Sequence, residues 1–305
     1  MRHRCLTVIL LTSLLAISAC AGSNSASGGN AARLTVVATT TQLADFARNV
    51  AGTRAKVVGL LAPSRDPHAY EPTPSDIKEV SEARVVVANG VGLDDWIDRV
   101  VKTAGNSPKL VRASDGIHLR PGDEESPIGD PHIWFDPRNA QHIVAEIRDA
   151  LIAADPNGAA GYRSRAKAYD ASLQDLDHEV ASLINAVPAS QRTLVTNHDA
   201  FGYFADRYGI RIVGAAIPSL STAAESNARD LARLASKVRT EHVAVVFAEE
   251  SVDAKLERAL ARDAGVRVGP KLYGDTLADT DQPAGTYIGM MRVNAERLVA
   301  GFLAR

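Results

Sequence analysis

The 305-residue chain has only two cysteines, Cys5 and Cys20, and it lacks a large excess of charge of either sign. Its 34 basic and 36 acidic residues give a formal net charge of -2. Proteins that bind nucleic acids usually carry a basic patch, so this balance argues against a nucleic-acid partner. Aromatic residues make up 5% of the chain and hydrophobic residues 46%. This is an ordinary globular composition, and the length suffices for two domains.

The N-terminus has an apolar run, residues 6–17, that is shorter than the roughly 20 residues a membrane-spanning helix needs. Basic residues precede this run, and small residues lead from it to Cys20. The pattern is typical of a secretory signal peptide, which we assign to residues 1–19. Residues 17–20, ISAC, resemble a bacterial lipobox, in which cleavage leaves a lipidated cysteine at the new N-terminus. We therefore predict an exported protein, anchored to the extracytoplasmic face of the cell membrane through a lipid on Cys20.

Cleavage before Cys20 would remove Cys5 and so exclude an internal disulfide. The exported protein must then be stabilised by core packing or by a metal ion. Residues 20–32 are small, polar and glycine-rich, which indicates a flexible tether behind the lipid. A plain signal peptide with an incidental cysteine is the alternative.

From Leu34 onward, β-branched apolar runs alternate with amphipathic helical segments. A long helical stretch follows the first set, and the alternation restarts with TLVTNHD at residues 193–199. Apolar strands that alternate with helices favour parallel sheets covered on both faces. We predict an α/β protein with two βα lobes, residues 33–160 and 188–305, joined by a backbone helix over residues 161–187. Ligands of such proteins bind beyond the carboxyl ends of the strands.

Three histidines and one aspartate lie in loops at or after predicted strand ends. His68 follows the second strand, and His132 lies between prolines in GDPHIWFDP. His198 ends the strand TLVTNHD, and Asp275 follows the last short strand. Imidazole nitrogens and carboxylate oxygens bind divalent first-row metals, and four of them satisfy a tetrahedral zinc ion. The sequence therefore predicts a metal site formed by His68, His132, His198 and Asp275.

A ligating histidine commonly donates its second ring N–H to a carboxylate or a carbonyl. Five acidic residues near the candidate ligands could serve in this way: Asp66, Asp136, Asp199, Glu225 and Glu249. For each of them a role as helix cap or surface charge is the alternative.

Several motifs follow one another along the chain: DPHAYEPTPSD, GDPHIWFDP, NHDAFGYFADRYG, IPSLSTAAESNARDLARL and LYGDTL. Together with the lipobox, they resemble the metal-binding lipoproteins of bacterial ABC importers for zinc and manganese. The resemblance implies a monomeric, two-lobed receptor that carries metal in the interlobe cleft and delivers it to an ABC importer permease. Matched by position, the ligands of that family fall on His68, His132, His198 and Asp275.

His198 occupies the position at which manganese-binding members of that family often carry Glu and zinc-binding members often carry His. Imidazole suits zinc, whereas manganese prefers oxygen ligands. We therefore predict Zn²⁺ as the bound ion, with Mn²⁺ or iron as the alternative. Many zinc receptors of the family also have a long His- and acid-rich loop between the first two ligands, where this chain has only GDEESP.

Two other classes of protein could use the same residues. A zinc-dependent hydrolase would need an open coordination position and a general base. Four protein ligands would close the site, so we predict no enzymatic activity. A surface adhesin or a metallochaperone would use the same metal site with a different partner.

Overall fold

The computed structural model describes residues 33–304. The predicted signal peptide, tether and Cys20 lie outside the described residues. Between residues 33 and 304, no helix has both the length and the apolar character that crossing a membrane requires.

Four parallel strands form the first sheet: β1 (Leu34–Ala38), β2 (Ala55–Gly59), β3 (Val85–Ala88) and β4 (Lys109–Arg112). Their order across the sheet is β2-β1-β3-β4. Three helices connect them: α1 (Thr41–Ala51), α2 (Pro74–Glu82) and α3 (Trp96–Ala104). Capping fixes the helix starts, because the side chains of Thr40 and Thr73 accept backbone N–H groups of the first turns of α1 and α2.

Two long helices follow the first sheet, α4 (Pro137–Ala154) and α5 (Ala159–Asn185). The carboxylate of Asp136 caps α4, and Pro137 occupies its first position. A short 3-10 turn, Pro156–Gly158, separates the two helices. With 27 residues, α5 is about 40 Å long and includes most of the predicted backbone helix.

The second sheet contains β5 (Thr193–Thr196), β6 (Arg211–Ala215), β7 (Val245–Val246) and β8 (Arg267–Val268). Its helices are α6 (Gly202–Tyr208), α7 (Ala228–Thr240), α8 (Lys255–Ala264) and α9 (Tyr287–Leu303). Strands β5 and β6 form one parallel pair, and β7 and β8 form another. The N–H of Phe247 donates to the carbonyl of Val195 at 2.8 Å and joins the pairs. The order β6-β5-β7-β8 thus repeats that of the first sheet.

Successive strand residues point into different cores, as the two-residue period of a strand requires. Val36 faces a central core that both sheets share with α1, α4, α5 and α9, whereas Val37 packs with α2 and α3. In the second sheet, Leu194 faces the same central core and Val195 packs with α7 and α8. The parallel α/β fold class predicted from the sequence is confirmed.

Candidate metal centre

The four predicted ligands come together from four loops, each of which follows the carboxyl end of a strand. His68 lies between β2 and α2, and His132 lies between β4 and α4, next to a 3-10 turn at Ile133–Phe135. His198 follows β5 by two residues, and Asp275 lies between β8 and α9. Two loops of the first sheet and two of the second sheet therefore supply one cluster.

The facing atoms of this cluster are three imidazole nitrogens and one carboxylate, all within 4.8 Å of one another. The Nε2 atoms of His132 and His198 are 3.3 Å apart. Oδ1 of Asp275 lies 3.3 Å from His132 Nε2, while its Oδ2 lies 3.4 Å from His198 Nε2 and 3.7 Å from His68 Nε2. A tetrahedral zinc ion with bonds of about 2.0–2.1 Å holds its ligand atoms about 3.3–3.4 Å apart. The spacing therefore fits a small divalent ion.

The cluster is buried, and its inward-facing atoms lack strong hydrogen-bond partners. The side chains of His132, His198 and Asp275 are fully buried, and that of His68 is 6% exposed. Both carboxylate oxygens of Asp275 and Nε2 of His68 are buried without a hydrogen bond that meets normal geometry. Buried polar atoms are normally paired, because leaving them unsatisfied costs free energy. A metal ion would satisfy all three atoms.

The tripeptide Asp-Pro-His occurs twice, at residues 66–68 and 130–132, and has the same local structure at both places. Oδ1 of Asp66 accepts the backbone N–H of His68 at 2.9 Å, and Oδ1 of Asp130 accepts that of His132 at 2.9 Å. Such a turn fixes the backbone conformation at the histidine and so the direction of its side chain. Asp130 also lies 2.8 Å from Nδ1 of His132, so it orients the ring. Its role was missed by the sequence analysis, although the repeated tripeptide marks it.

Glu249 orients His198 as Asp130 orients His132. Its Oε1 lies 3.1 Å from Nδ1 of His198, and the residue is fully buried. Its other oxygen is close to Gly274, where an added Cβ would lie 2.3 Å from Oε2. Glycine in the motif LYGDTL therefore makes room for Glu249 beside Asp275.

The other acidic residues predicted to orient ligands have different surroundings. Asp136 caps α4 and pairs with the guanidinium of Arg138, so it does not orient an imidazole. Asp199 is partly buried, and its backbone N–H donates to the carbonyl of Ser219. Glu225 is exposed in the loop before α7. Asp66 contacts the backbone of His68 rather than its ring.

The histidines differ in proton affinity because their charged neighbours differ. Burial lowers the pKa of His68 to about 3, despite the attraction of Asp275. Burial acts in the same direction on His132, but the hydrogen bond to Asp130 and the charges of Asp130 and Asp275 raise its pKa to about 9. For His198, the charges of Glu249 and Asp275 outweigh burial and hold the pKa well above its usual value. A ligating imidazole is neutral, so metal binding competes with proton binding at His132 and His198.

The charge on the imidazoles also controls Asp275. Burial favours its protonated form, but the neighbouring charge of His198 outweighs burial and holds the pKa of Asp275 well below the usual range. Asp275 is therefore an ionised carboxylate within the cluster, ready to bind a cation.

Residues 36–301 match the model of the family described as ZnuA: zinc-uptake complex component A, periplasmic. The chain belongs to this family. ZnuA-family members are solute-binding proteins of ABC importers rather than enzymes, so membership sets aside the hydrolase alternative.

Relatives of this ZnuA-family chain carry the names of two different metals. It is 31% identical to the manganese-binding lipoprotein MntA of Halalkalibacterium halodurans over 301 residues, which cover 99% of each chain. It is 33% identical to MntA of Bacillus subtilis, over 95% of this chain and 96% of that one. The solved structure of the periplasmic zinc-binding protein TroA from Treponema pallidum superimposes with a TM-score of 0.83 and 31% identity. That alignment covers 88% of this chain and 99% of TroA.

Proposed function

We propose that this protein captures Zn²⁺ outside the cytoplasm with His68, His132, His198 and Asp275 and delivers it to an ABC importer permease. One observation carries the proposal: three imidazole nitrogens and a carboxylate face one another at distances that suit a tetrahedral ion. Asp130 and Glu249 support this role, because each orients one of the imidazoles from behind.

The donor set favours zinc over manganese. Three nitrogens and one carboxylate make a nitrogen-rich site, whereas manganese prefers oxygen ligands. Manganese is the second candidate, because the relatives from Halalkalibacterium halodurans and Bacillus subtilis are named as manganese-binding lipoproteins. His198 is the residue on which the choice depends.

Metal competition tests the assignment. We expect protein purified without added metal to bind one equivalent of Zn²⁺ and to retain it against excess Mn²⁺. Zinc exceeds manganese in affinity at almost any such site, so the informative quantity is the ratio of the two affinities. Replacing His198→Glu should lower this Zn/Mn ratio, because it exchanges a nitrogen for an oxygen ligand. His178→Glu is the matched control, since His178 is exposed on α5.

Two results would contradict the zinc assignment. One is retention of Mn²⁺ in preference to Zn²⁺ by the unmodified protein. The other is a Zn/Mn ratio in His198→Glu that equals the ratio in His178→Glu, because His198 would then not bind the ion.

The proposal includes attachment to the membrane through a lipid on Cys20 and delivery by a monomer. Replacing Cys20→Ala should release the protein from the membrane fraction into the soluble extracytoplasmic fraction. Deleting the gene should impair growth when zinc is limiting, and added zinc should restore it. Normal zinc uptake without the gene would favour an adhesin or a metallochaperone instead.

A further inference from the structure

Of the four candidate ligands, His68 lies nearest to solvent. The side chain of His68 is 6% exposed, whereas those of the other three candidate ligands are fully buried. A metal ion that leaves on this side would pass His68.

His68 lies in a segment without helix or strand, residues 60–73, which we call the His68 loop. The first part of the loop is held at Leu60 and Ser64, because the N–H of Leu60 donates to the carbonyl of Ala38 and the N–H of Ser64 donates to the hydroxyl oxygen of Thr276. Nearer His68, the side chain of Asp66 holds the loop. Asp66 uses both carboxylate oxygens for this purpose. Oδ1 accepts the backbone N–H of His68 at 2.9 Å, and Oδ2 accepts the hydroxyl of Thr222 at 2.6 Å.

Thr222 belongs to the segment after β6 that the second sheet contributes, Ser219–Thr222. This segment also binds the loop that leads to His132, because Asp123 accepts the hydroxyl of Ser219 at 2.8 Å and the N–H of Leu220 at 2.6 Å. It is tied to His198 as well, since the carbonyl of Ser219 accepts the N–H of Asp199 at 2.9 Å. One short segment thus connects the loops of three candidate ligands.

We propose that Thr222 is a positioning residue that sets the rate of metal release. Its hydroxyl holds Asp66, Asp66 holds the backbone of His68, and His68 covers the metal on the solvent side. The proposal rests on the metal-binding function proposed above. It concerns how long metal stays in the site, which the four ligands alone do not determine.

Removing the hydroxyl should accelerate release. A hydrogen bond to a charged group makes a net free-energy contribution that corresponds to roughly a tenfold to hundredfold change in an equilibrium constant. Thr222→Val keeps the shape of the side chain and removes the donor. We expect this variant to release Zn²⁺ to an excess of chelator about tenfold faster than the unmodified protein, or more.

Two variants control for altered folding. Thr222→Ser retains the hydroxyl and should release Zn²⁺ at nearly the original rate. Thr240→Val removes the hydroxyl of an exposed threonine in the last turn of α7 that donates to the carbonyl of Ser236, so the release rate should not change. The melting temperature of metal-free Thr222→Val should match that of metal-free Thr240→Val, because the proposed role is local to the His68 loop.

A double-mutant cycle with Asp66→Ala tests whether Thr222 acts on metal release through Asp66. Because Asp66→Ala already removes the acceptor of the Thr222 hydroxyl, adding Thr222→Val should accelerate release no further. Equal release rates in Thr222→Val and the unmodified protein would overturn the proposal. A full effect of Thr222→Val in the Asp66→Ala background would overturn it too. If the unmodified protein bound no divalent metal, the proposed function itself would fail, and that result is visible before any variant is made.

Discussion

At the scale of single residues, the ring orientation of two histidines depends on buried carboxylates. Asp130 lies behind His132 and Glu249 lies behind His198, and both acids are almost fully buried. A carboxylate at the second ring nitrogen fixes the tautomer and increases the basicity of the nitrogen that faces the metal. His132 and His198 should therefore bind more strongly than an unsupported imidazole.

Asp130→Asn should weaken Zn²⁺ affinity by about tenfold to a hundredfold, because it replaces the charged acceptor at His132 by a neutral amide. Asp136→Asn is the matched control from the same motif. Asp136 caps α4, and asparagine caps helices equally well, so zinc affinity should not change. Competition against a zinc-binding dye would measure both affinities. Equal affinities in the two variants would show that Asp130 does not support the metal.

The sequence predicted which four residues cluster, because loops after parallel strands meet at one edge of a sheet. It named Asp136, four positions after His132, as a residue that could orient this imidazole, and it missed Asp130, two positions before it. The structure separates them, since the turn of Asp-Pro-His folds Asp130 back onto the imidazole, whereas Asp136 begins α4. Thr222 was missed because its partner Asp66 is 156 positions away in sequence.

At the scale of elements, one buried carboxylate joins three helices. Asp45 on α1 accepts the N–H of Tyr287, the first residue of α9, at 3.0 Å. It also accepts the hydroxyl of Tyr169 on α5 at 3.2 Å. A negative charge at the start of α9 is favourable for the helix dipole. Burial nevertheless dominates, and it raises the pKa of Asp45 above its usual value of 3.8.

This shift predicts how stability depends on pH. The folded protein holds the proton of Asp45 more tightly than the unfolded chain does, so ionising this carboxyl removes stability as the pH rises from 3.8 through the raised folded pKa. Asp45→Asn cannot ionise. The free energy of unfolding of Asp45→Asn minus that of the unmodified protein should therefore increase across this pH range and then level off. Each tenfold difference in proton affinity corresponds to about 1.4 kcal/mol.

Urea unfolding of both proteins between about pH 4 and pH 7 measures this difference. Other titrating groups are shared by the two proteins and cancel in the subtraction. A difference that stays constant, or that decreases with rising pH, would mean that Asp45 is not destabilised by ionisation in the folded state.

The sequence predicted the elements of the first sheet more accurately than those of the second. Valine runs in β1 and β3 are buried on both faces, so they leave a clear signal. Strands β7 and β8 have only two residues each, so they leave a weaker signal in the sequence. The chain leaves the ladder early there, and a single bridge, Glu249 to Leu272, continues the pairing next to the metal site.

At the scale of the whole molecule, both sheets share one apolar core. Leu194 and Phe247 of the second sheet belong to the same buried cluster as Val36 of the first sheet and Leu173 of α5. Swinging the sheets apart would expose this cluster to water. Exposing about 400 Å² of apolar surface costs about 10 kcal/mol, so a large hinge motion is expensive.

Metal binding can shift the equilibrium between an open and a closed form only if the metal binds one form more tightly than the other. A local movement of the His68 loop exposes little apolar surface, so it is the less costly way to open the site. We therefore expect X-ray scattering curves of the metal-free and Zn²⁺-loaded protein to superimpose. Hydrogen exchange should slow on zinc binding at residues 60–73 and remain unchanged in α5. A metal-dependent change in the low-angle scattering, with exchange altered along α5, would show instead that the two sheets move as bodies and that the shared core opens.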